Sequence, residues 1–369
     1  MGFTKGQDGS LQPSDDTKAT YRHLHRAHRS AKRETTEKRV IHLLPKLRGF
    51  LANGDDVNPA AIDAELEEIT GDSWQSSLFR FASLCWSVPV SSGYGRRMRF
   101  LVWDKQNGKL IGLIALGDPV FNMSARDIHL GWTSHDREER LVNVMDAFVL
   151  GAIPPYNRLL GGKLVASLIR TKEVVKRFNS KYGHTEGLIS KKQKHAQLAC
   201  VTTTSALGRS SIYNRLKLGG IEYFRRIGFT SGFGHFQIPD DLFEDIRAYL
   251  KRRRNKYHSG HQYGQGPNWR MRAVRRAFDY LGLNTNILRH NLKREIFICE
   301  VASNASDILQ GKSIRPNYGT LLSVSEVTAA ARERWMVPRS QRFIDYRICS
   351  RCGGFGRHNY RRGYRWDDP

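Results

Sequence analysis

The clearest pattern lies between residues 97 and 116. Two apolar runs, Arg99–Trp103 (RFLVW) and Lys109–Ala115 (KLIGLIA), flank the polar stretch Asp104–Gly108 (DKQNG). An Asn-Gly dipeptide between such runs predicts a β-hairpin. Four further segments read as strands. Ile128, Leu130 and Trp132 alternate in DIHLGW (127–132), and AFVLGAI (147–153) is continuously apolar and stopped by Pro154-Pro155. Leu198–Thr203 and Arg294–Val301 complete the set. Apolar residues three and four apart predict helices over 58–70, Leu78–Cys85 and Glu138–Met145. Asn157–Tyr182 reads as one long helix with Leu160, Leu164, Leu168 and Val175 on one side, and Gly219–Phe229 as a helix broken at Gly228. Asp240–Leu250 is the sharpest helix, with Asp240 as N-cap and an apolar stripe of Leu242, Phe243, Ile246, Tyr249 and Leu250. Lys251–Arg254 follows it, where cations favour the helix dipole. Gly260–Asn268 is a flexible break, Arg270–Tyr280 a basic helix, and Ser323–Trp335 a helix opening on a Ser323–Glu326 capping box.

Interleaved strands and helices of this kind predict an α/β (α+β) fold, a mixed central sheet with flanking helices over residues 74–255. Around it the pattern sets a disordered start (1–17) and a basic helical N-terminal region (18–73). A basic C-terminal region (256–346) and a basic, Gly- and aromatic-rich tail (347–369) follow. No internal repeat is present.

Composition then narrows the class. The chain has 369 residues, 40% hydrophobic and 10% aromatic, enough for a substantial core and unlike a disordered chain. The longest apolar runs, Leu110–Leu116 and Phe148–Ile153, fall far short of a membrane span. The first fourteen residues are polar and do not resemble a secretory signal. Five cysteines fit a reducing cytoplasm better than a disulfide framework. The charge is the positive clue: 60 Lys and Arg against 35 Asp and Glu, a net +25. Residues 251–369 hold 24 basic and 9 acidic side chains. That balance points to a polyanion partner, DNA above all, and to Arg252, Arg253, Arg254, Arg272, Arg275 and Arg276 as its contacts. In the tail, Arg357, Arg361 and Arg362 interleave with Phe355, Tyr360 and Tyr364, a pattern suited to phosphate pairing plus base stacking.

Several constellations carry possible chemistry, each beside a plainer reading. Arg126 and Asp127 form either a catalytic pair at a cleft or a buried ion pair. The run Thr202–Tyr213 places Gly208, Arg209, Ser210, Ser211 and Tyr213 together, either a phosphate cradle or a loop of local side-chain-to-backbone bonds. His235, in Gly232-Phe-Gly-His, is either a catalytic imidazole or a solvated one. Cys349, Cys352 and His358 have the spacing of half a zinc knuckle; the alternative is two free thiols. His23, His25 and His28 do not share one helical face and read as solvated. Gly311-Lys312-Ser313 is not a P-loop, because Ser306 stands where the loop requires glycine.

Two resemblances add to this. The stretch Leu110–Phe229 resembles an acyltransferase of the GNAT superfamily: KLIGLIA looks like its central strands, and Tyr223–Phe229 (YFRRIGF) like its late junction. Strand 147–153 followed by Tyr156–Lys163 (YNRLLGGK) sits where that family binds a diphosphate. The resemblance implies a coenzyme A derivative held by Arg158, Gly161, Gly162 and Lys163, although Lys163 departs from the small residue of the family pattern. A closer resemblance rests on LIGLIALGDPVF (110–121), ARDIHLGW (125–132), NRLLGGKL (157–164), TTTSALGRSSIYNR (202–215) and YFRRIGFTSGFGHFQIPDDLF (223–243). These segments resemble the Druantia anti-phage DruA family over roughly residues 90–255. That implies an intracellular defence role beside a helicase and other system subunits, with no membrane, and it transfers no catalytic residue. The leading expectation is a cytoplasmic nucleic-acid-binding defence component; the alternative is a GNAT-like acyltransferase modifying a nucleic-acid base or other amine.

Overall fold

The structure is a computed structural model that describes residues 3–13, 15, 17–91, 93, 95–186, 193–230, 238–260, 267–344 and 346–347. Its seven-stranded sheet consists of β1 (Ala64–Glu68), β2 (Arg97–Asp104), β3 (Lys109–Gly117), β4 (Val144–Ala152), β5 (Cys200–Thr204), β6 (Arg225–Phe229) and β7 (Glu295–Glu300). The principal helices are α1 (Lys18–Leu24), α2 (Arg26–Val40), α3 (Trp74–Ala82), α4 (Ser124–Leu130), α5 (Ser134–Arg140) and α6 (Gly161–Ser167). They continue with α7 (Lys172–Tyr182), α8 (Asp240–Arg252), α9 (Pro267–Leu281) and α10 (Val324–Ala331). The chain forms two compact units. One comprises Met1–Arg33, Ser205–Arg209 and Phe229–Glu295; the other comprises Glu34–Thr204, Ser210–Gly228 and Ile296–Pro369.

The larger unit holds the sheet, in the order β6-β7-β5-β4-β3-β2-β1. Strands β1 to β4 form an antiparallel meander, β4 and β5 run parallel, and β5 and β7 are again antiparallel. The expected mixed sheet with flanking helices is therefore present. The hairpin turn is fixed by Asp104, whose wholly buried carboxylate accepts from the backbone N–H of Asp63 (3.0 Å) and the Tyr156 hydroxyl (2.8 Å). Gly108 closes the turn at φ +66°.

Leu110–Gly117 is buried throughout, so β3 needs cover on both faces. Ile114 and Leu116 pack with Leu164, Val165, Phe178 and Val327 of α6, α7 and α10. Leu113 and Ala115 pack with Leu78, Phe79 and Phe81 of α3. Between β3 and β4 the register shifts, from Ala115 opposite Val149 to Leu116 opposite Ala147, so Phe148 is an extra residue and β4 carries a bulge.

Six expectations need correction. Residues 127–132 are not a strand: α4 ends there on Gly131 at φ +67°, and the alternation of Ile128, Leu130 and Trp132 is coincidental, since Ile128 is 80% exposed. The proposed helix at 58–70 is instead edge strand β1, recruited by pairing with β2. Gly219–Phe229 is not helical. Gly219 and Gly220, both at positive φ, turn a short hairpin (Lys217–Leu218 with Ile221–Glu222), and β6 follows. Asn157–Tyr182 is broken, because Thr171 is extended between α6 and α7. The helical expectation over Glu138–Met145 fails at its end, where β4 begins at Val144. Pro239, not Asp240, occupies the N-cap of α8, leaving Asp240 in the first turn. No described helix is long and apolar enough to cross a membrane.

The sheet interior sets a first prediction. A Cβ on Gly112 would collide with the Gly151 carbonyl oxygen and lie 2.8 Å from Val165 Cγ2. At Gly151 the new carbon would meet only the Trp86 ring, at 3.2 Å. Gly112→Ala should therefore destabilise by about 1–3 kcal/mol, and Gly151→Ala by less. Equal urea midpoints for the two variants would contradict this packing.

Candidate functional site

Arg126 and Asp127 sit on α4, buried together. Arg126 Nε and Nη2 donate to Asp127 Oδ1 at 2.9 and 2.7 Å, while Nη1 and Nη2 donate to the carbonyls of Val120 (2.8 Å) and Phe121 (2.7 Å). Arg137 Nη1 donates to Asp127 Oδ2 at 2.7 Å, and the Trp132 ring lies 5.3 Å from the Arg126 guanidinium. Each charged group thus meets an opposite charge or a carbonyl, which is what burial demands. This arrangement clamps the segment preceding α4. Arg126→Met should cost about 3–5 kcal/mol in thermal unfolding by leaving Asp127 underpaired. An unchanged melting temperature would reopen the reading of this pair as a reactive site.

The glycine turn after β4 is built by packing. Leu160 takes φ +60°, and a Cβ on Gly161 would lie 2.6 Å from the Tyr156 carbonyl oxygen. On Gly162 it would lie 3.0 Å from Ile212 Cδ1. The Lys163 N–H already donates to the Leu160 carbonyl at 2.8 Å. Its ammonium lies over the Trp335 ring at 5.2 Å. Burial holds Lys163 below the usual lysine range, and the nearby Arg334 and Arg215 push the same way. The half-buried Arg158 gives its carbonyl to Arg339 Nε at 3.1 Å. The turn is therefore ringed by cations, of which Arg215 and Arg334 escaped the sequence reading because they are far away in the chain.

Strands β4 and β5 pair only from Val144–Cys200 to Asp146–Thr202, then part. Hydroxyls take over where backbone pairing stops. Thr202 Oγ1 donates to Asp146 Oδ1 (2.8 Å), Thr203 Oγ1 to the Ala147 carbonyl (2.8 Å), and the Tyr213 hydroxyl reaches the Leu150 carbonyl at 3.5 Å. Burial pushes the Tyr213 hydroxyl up to about 12, with a Thr203 hydrogen bond opposing it. Two serines further along the run are tied to backbone. Ser205 Oγ donates to the Gly208 carbonyl, and Ser210 Oγ accepts from the N–H groups of Ile212 and Tyr213. Arg209 and Ser211 are exposed. The run divides between the two units, with Ser205–Arg209 in the smaller one.

The smaller unit carries the densest charge, 21 Lys and Arg against 9 Asp and Glu. Its α8 is polarised, with Asp240, Asp241, Glu244 and Asp245 near its start and Lys251–Arg254 at its end. Helices α8 and α9 pack side by side with like ends together. Arg270 pairs with Asp240 (2.6 Å) near both N-termini, where Phe243 also meets Trp269. Near both C-termini, the Arg253 and Arg276 guanidinium carbons lie 5.8 and 5.0 Å from the Tyr280 ring. Arg252, Arg253, Arg254, Arg272, Arg275 and Arg276 are all exposed. Among the described residues, none of Lys251, Arg252, Arg253, Arg254 or Lys256 has a carboxylate partner. Arg254 takes φ +51°, closing α8 in the left-handed position that glycine normally fills. Tyr280 was missed by sequence reading, though its place four residues after Arg276 on a basic helix signals it. His25 and His28 are half-buried rather than solvated, and burial lowers His25 to about 4.

His235, Cys349, Cys352, Arg357, His358, Arg361 and Arg362 lie outside the described residues. Among the described residues no group of His, Cys, Asp and Glu is placed to hold a metal.

Fold and surface together define an α/β protein whose sheet unit is accompanied by a basic helical unit. The family model for Druantia protein DruA matches residues 15–311. The chain is similar to Druantia protein DruA of Escherichia coli (strain UMEA 4076-1), 50% identical over 348 residues, covering 94% of this chain and 86% of that protein. The chain belongs to the DruA family. No solved structure matches it.

Proposed function

We propose that this chain is the nucleic-acid-binding component of a Druantia anti-phage defence system, acting on DNA in the cytoplasm beside a helicase and other subunits. Family membership supports the defence role. The observation that carries the nucleic-acid reading is the exposed cationic end of the α8–α9 pair. One or two cations would satisfy a helix dipole. Here, among the described residues, Lys251, Arg252, Arg253, Arg254 and Lys256 crowd one helix end without a carboxylate partner, and Arg272, Arg275 and Arg276, the last paired with Asp279 at 3.6 Å, stand on its neighbour. Such a cluster repels itself until an anion neutralises it.

Binding to DNA should weaken steeply with salt, and each arginine removed should lower the salt slope by about one. Arg254→Gly is the sharper variant. It relieves a left-handed residue, worth about 1 kcal/mol, so the melting temperature should hold or rise while DNA affinity falls. Unchanged affinity in this variant, or no binding by the parent protein at low salt, would overturn the reading.

A second reading, a GNAT-like acyltransferase modifying a nucleic-acid base or another amine, is supported by the parting of β4 and β5 and the bulge at Phe148. Lys163, Arg215, Arg334 and Arg158 are the residues that would hold the diphosphate of a coenzyme A derivative, which when bound would supply a thioester for transfer. Their side chains would do most of this, since the Lys163 amide is already engaged. Coenzyme A at millimolar concentration should then raise the melting temperature by several degrees, and less so for Lys163→Ala. No shift in the parent protein would discard this reading.

A further inference from the structure

Helix α9 ends in a way that leaves apolar surface beside the arginines. Gly282 at φ +64° stops the helix; its N–H donates to the Asp279 carbonyl (3.2 Å), and the Leu283 N–H to the Phe278 carbonyl (2.9 Å). This closure turns outward Tyr280 (38% exposed), Leu281 (54%) and Leu283 (50%). The Tyr280 ring is held in place: Asn255 Nδ2 donates to its hydroxyl at 3.0 Å, and Arg253 and Arg276 flank it. A ring fixed by a hydrogen bond at one edge and by two cations loses little freedom when something stacks on it.

We propose that Tyr280, with Leu281 and Leu283 beside it, is a stacking platform for an unpaired base, so that the preferred ligand of this arginine face is a single strand. The inference rests on the nucleic-acid reading given above and specifies its ligand. Charge complementarity selects the occupant: the patch is bordered by Arg253 and Arg276, which suits a phosphate chain. A duplex accounts for the arginines but not for the leucines. Its outer surface is phosphate and sugar, and its base faces are covered by one another. A single strand presents both things this surface matches, phosphates at the cations and an open base face at the ring. Sequence tolerance follows, because every base has a π face.

Full-length protein is titrated into labelled single-stranded DNA and into the matching duplex, each across a range of salt. The parent protein should bind the single strand more tightly. Tyr280→Ala should weaken single-strand binding by about tenfold, leave duplex binding nearly unchanged and keep the salt slope, since no phosphate contact is lost. Tyr280→Phe should retain most of the affinity. A fluorescent base analogue in the strand should be quenched by the parent protein and not by Tyr280→Ala, whose fold is checked by its melting temperature. Duplex binding as tight as single-strand binding, or Tyr280→Ala behaving as the parent, overturns the platform and leaves the basic-face reading standing. Absence of binding to either form at low salt overturns both.

Discussion

Strand β3 has no face open to water, and the rest of the sheet unit answers to that. Eight consecutive buried residues, Leu110–Gly117, send their side chains into two separate cores. A strand of this kind is stable only as the middle of a layered structure. Helices α6, α7 and α10 must cover one face and α3 the other. β3 pairs with β2 and β4, both antiparallel, and β4 continues the sheet through a parallel step to β5. The unbroken apolar run that first suggests a hairpin is thus also the reason for the layered architecture.

The same packing explains both a glycine inside the sheet and the one that makes the turn after β4 look like a ligand site. Gly112 is glycine because the Gly151 backbone is too close, and Gly161 because the Tyr156 carbonyl is. Neither requires a ligand. The cations around Lys163 are another matter: packing asks only that a long side chain cover Trp335, and a neutral one would do so without the repulsion from Arg215 and Arg334. Charge, and not the glycines, is what suits this corner to a ligand. The Arg126–Asp127 pair resolves the opposite way, since each partner is consumed in holding a loop.

Where a local pattern was long and strong, the sequence was legible. The hairpin, β4, α8, α9 and the capping box at Ser323 are where periodicity and turn chemistry place them. The errors share a cause. At Ala64–Glu68 and Arg225–Phe229 the strand depends on a distant partner that the local pattern does not contain. At 127–132 three alternating residues imitate a strand across the end of a seven-residue helix. The candidate arginines at 252–254 and 272–276 were readable from charge density alone. The meeting of Arg253 and Arg276 at Tyr280 was not, because it requires knowing that α8 and α9 lie with like ends together, and nothing in either helix states the orientation of its neighbour.

That orientation has an electrostatic cost that bears on function. Bringing two helix C-termini together places two negative dipole ends side by side, which cations can relieve. The number present goes beyond relief. Lys251, Arg252, Arg253, Arg254 and Lys256 lie within six residues. The acidic residues of α8 stand at its other end, where they cannot compensate. Arg254 goes further, holding a cation in a backbone conformation that disfavours any residue with a Cβ. The crowded charge weakens the free protein slightly and would be relieved by a dense anion laid across the helix ends, whereas the strain at Arg254 persists whether or not an anion is present. A surface selected for stability alone would exchange one of these cations for a carboxylate and place glycine at 254; this one does neither.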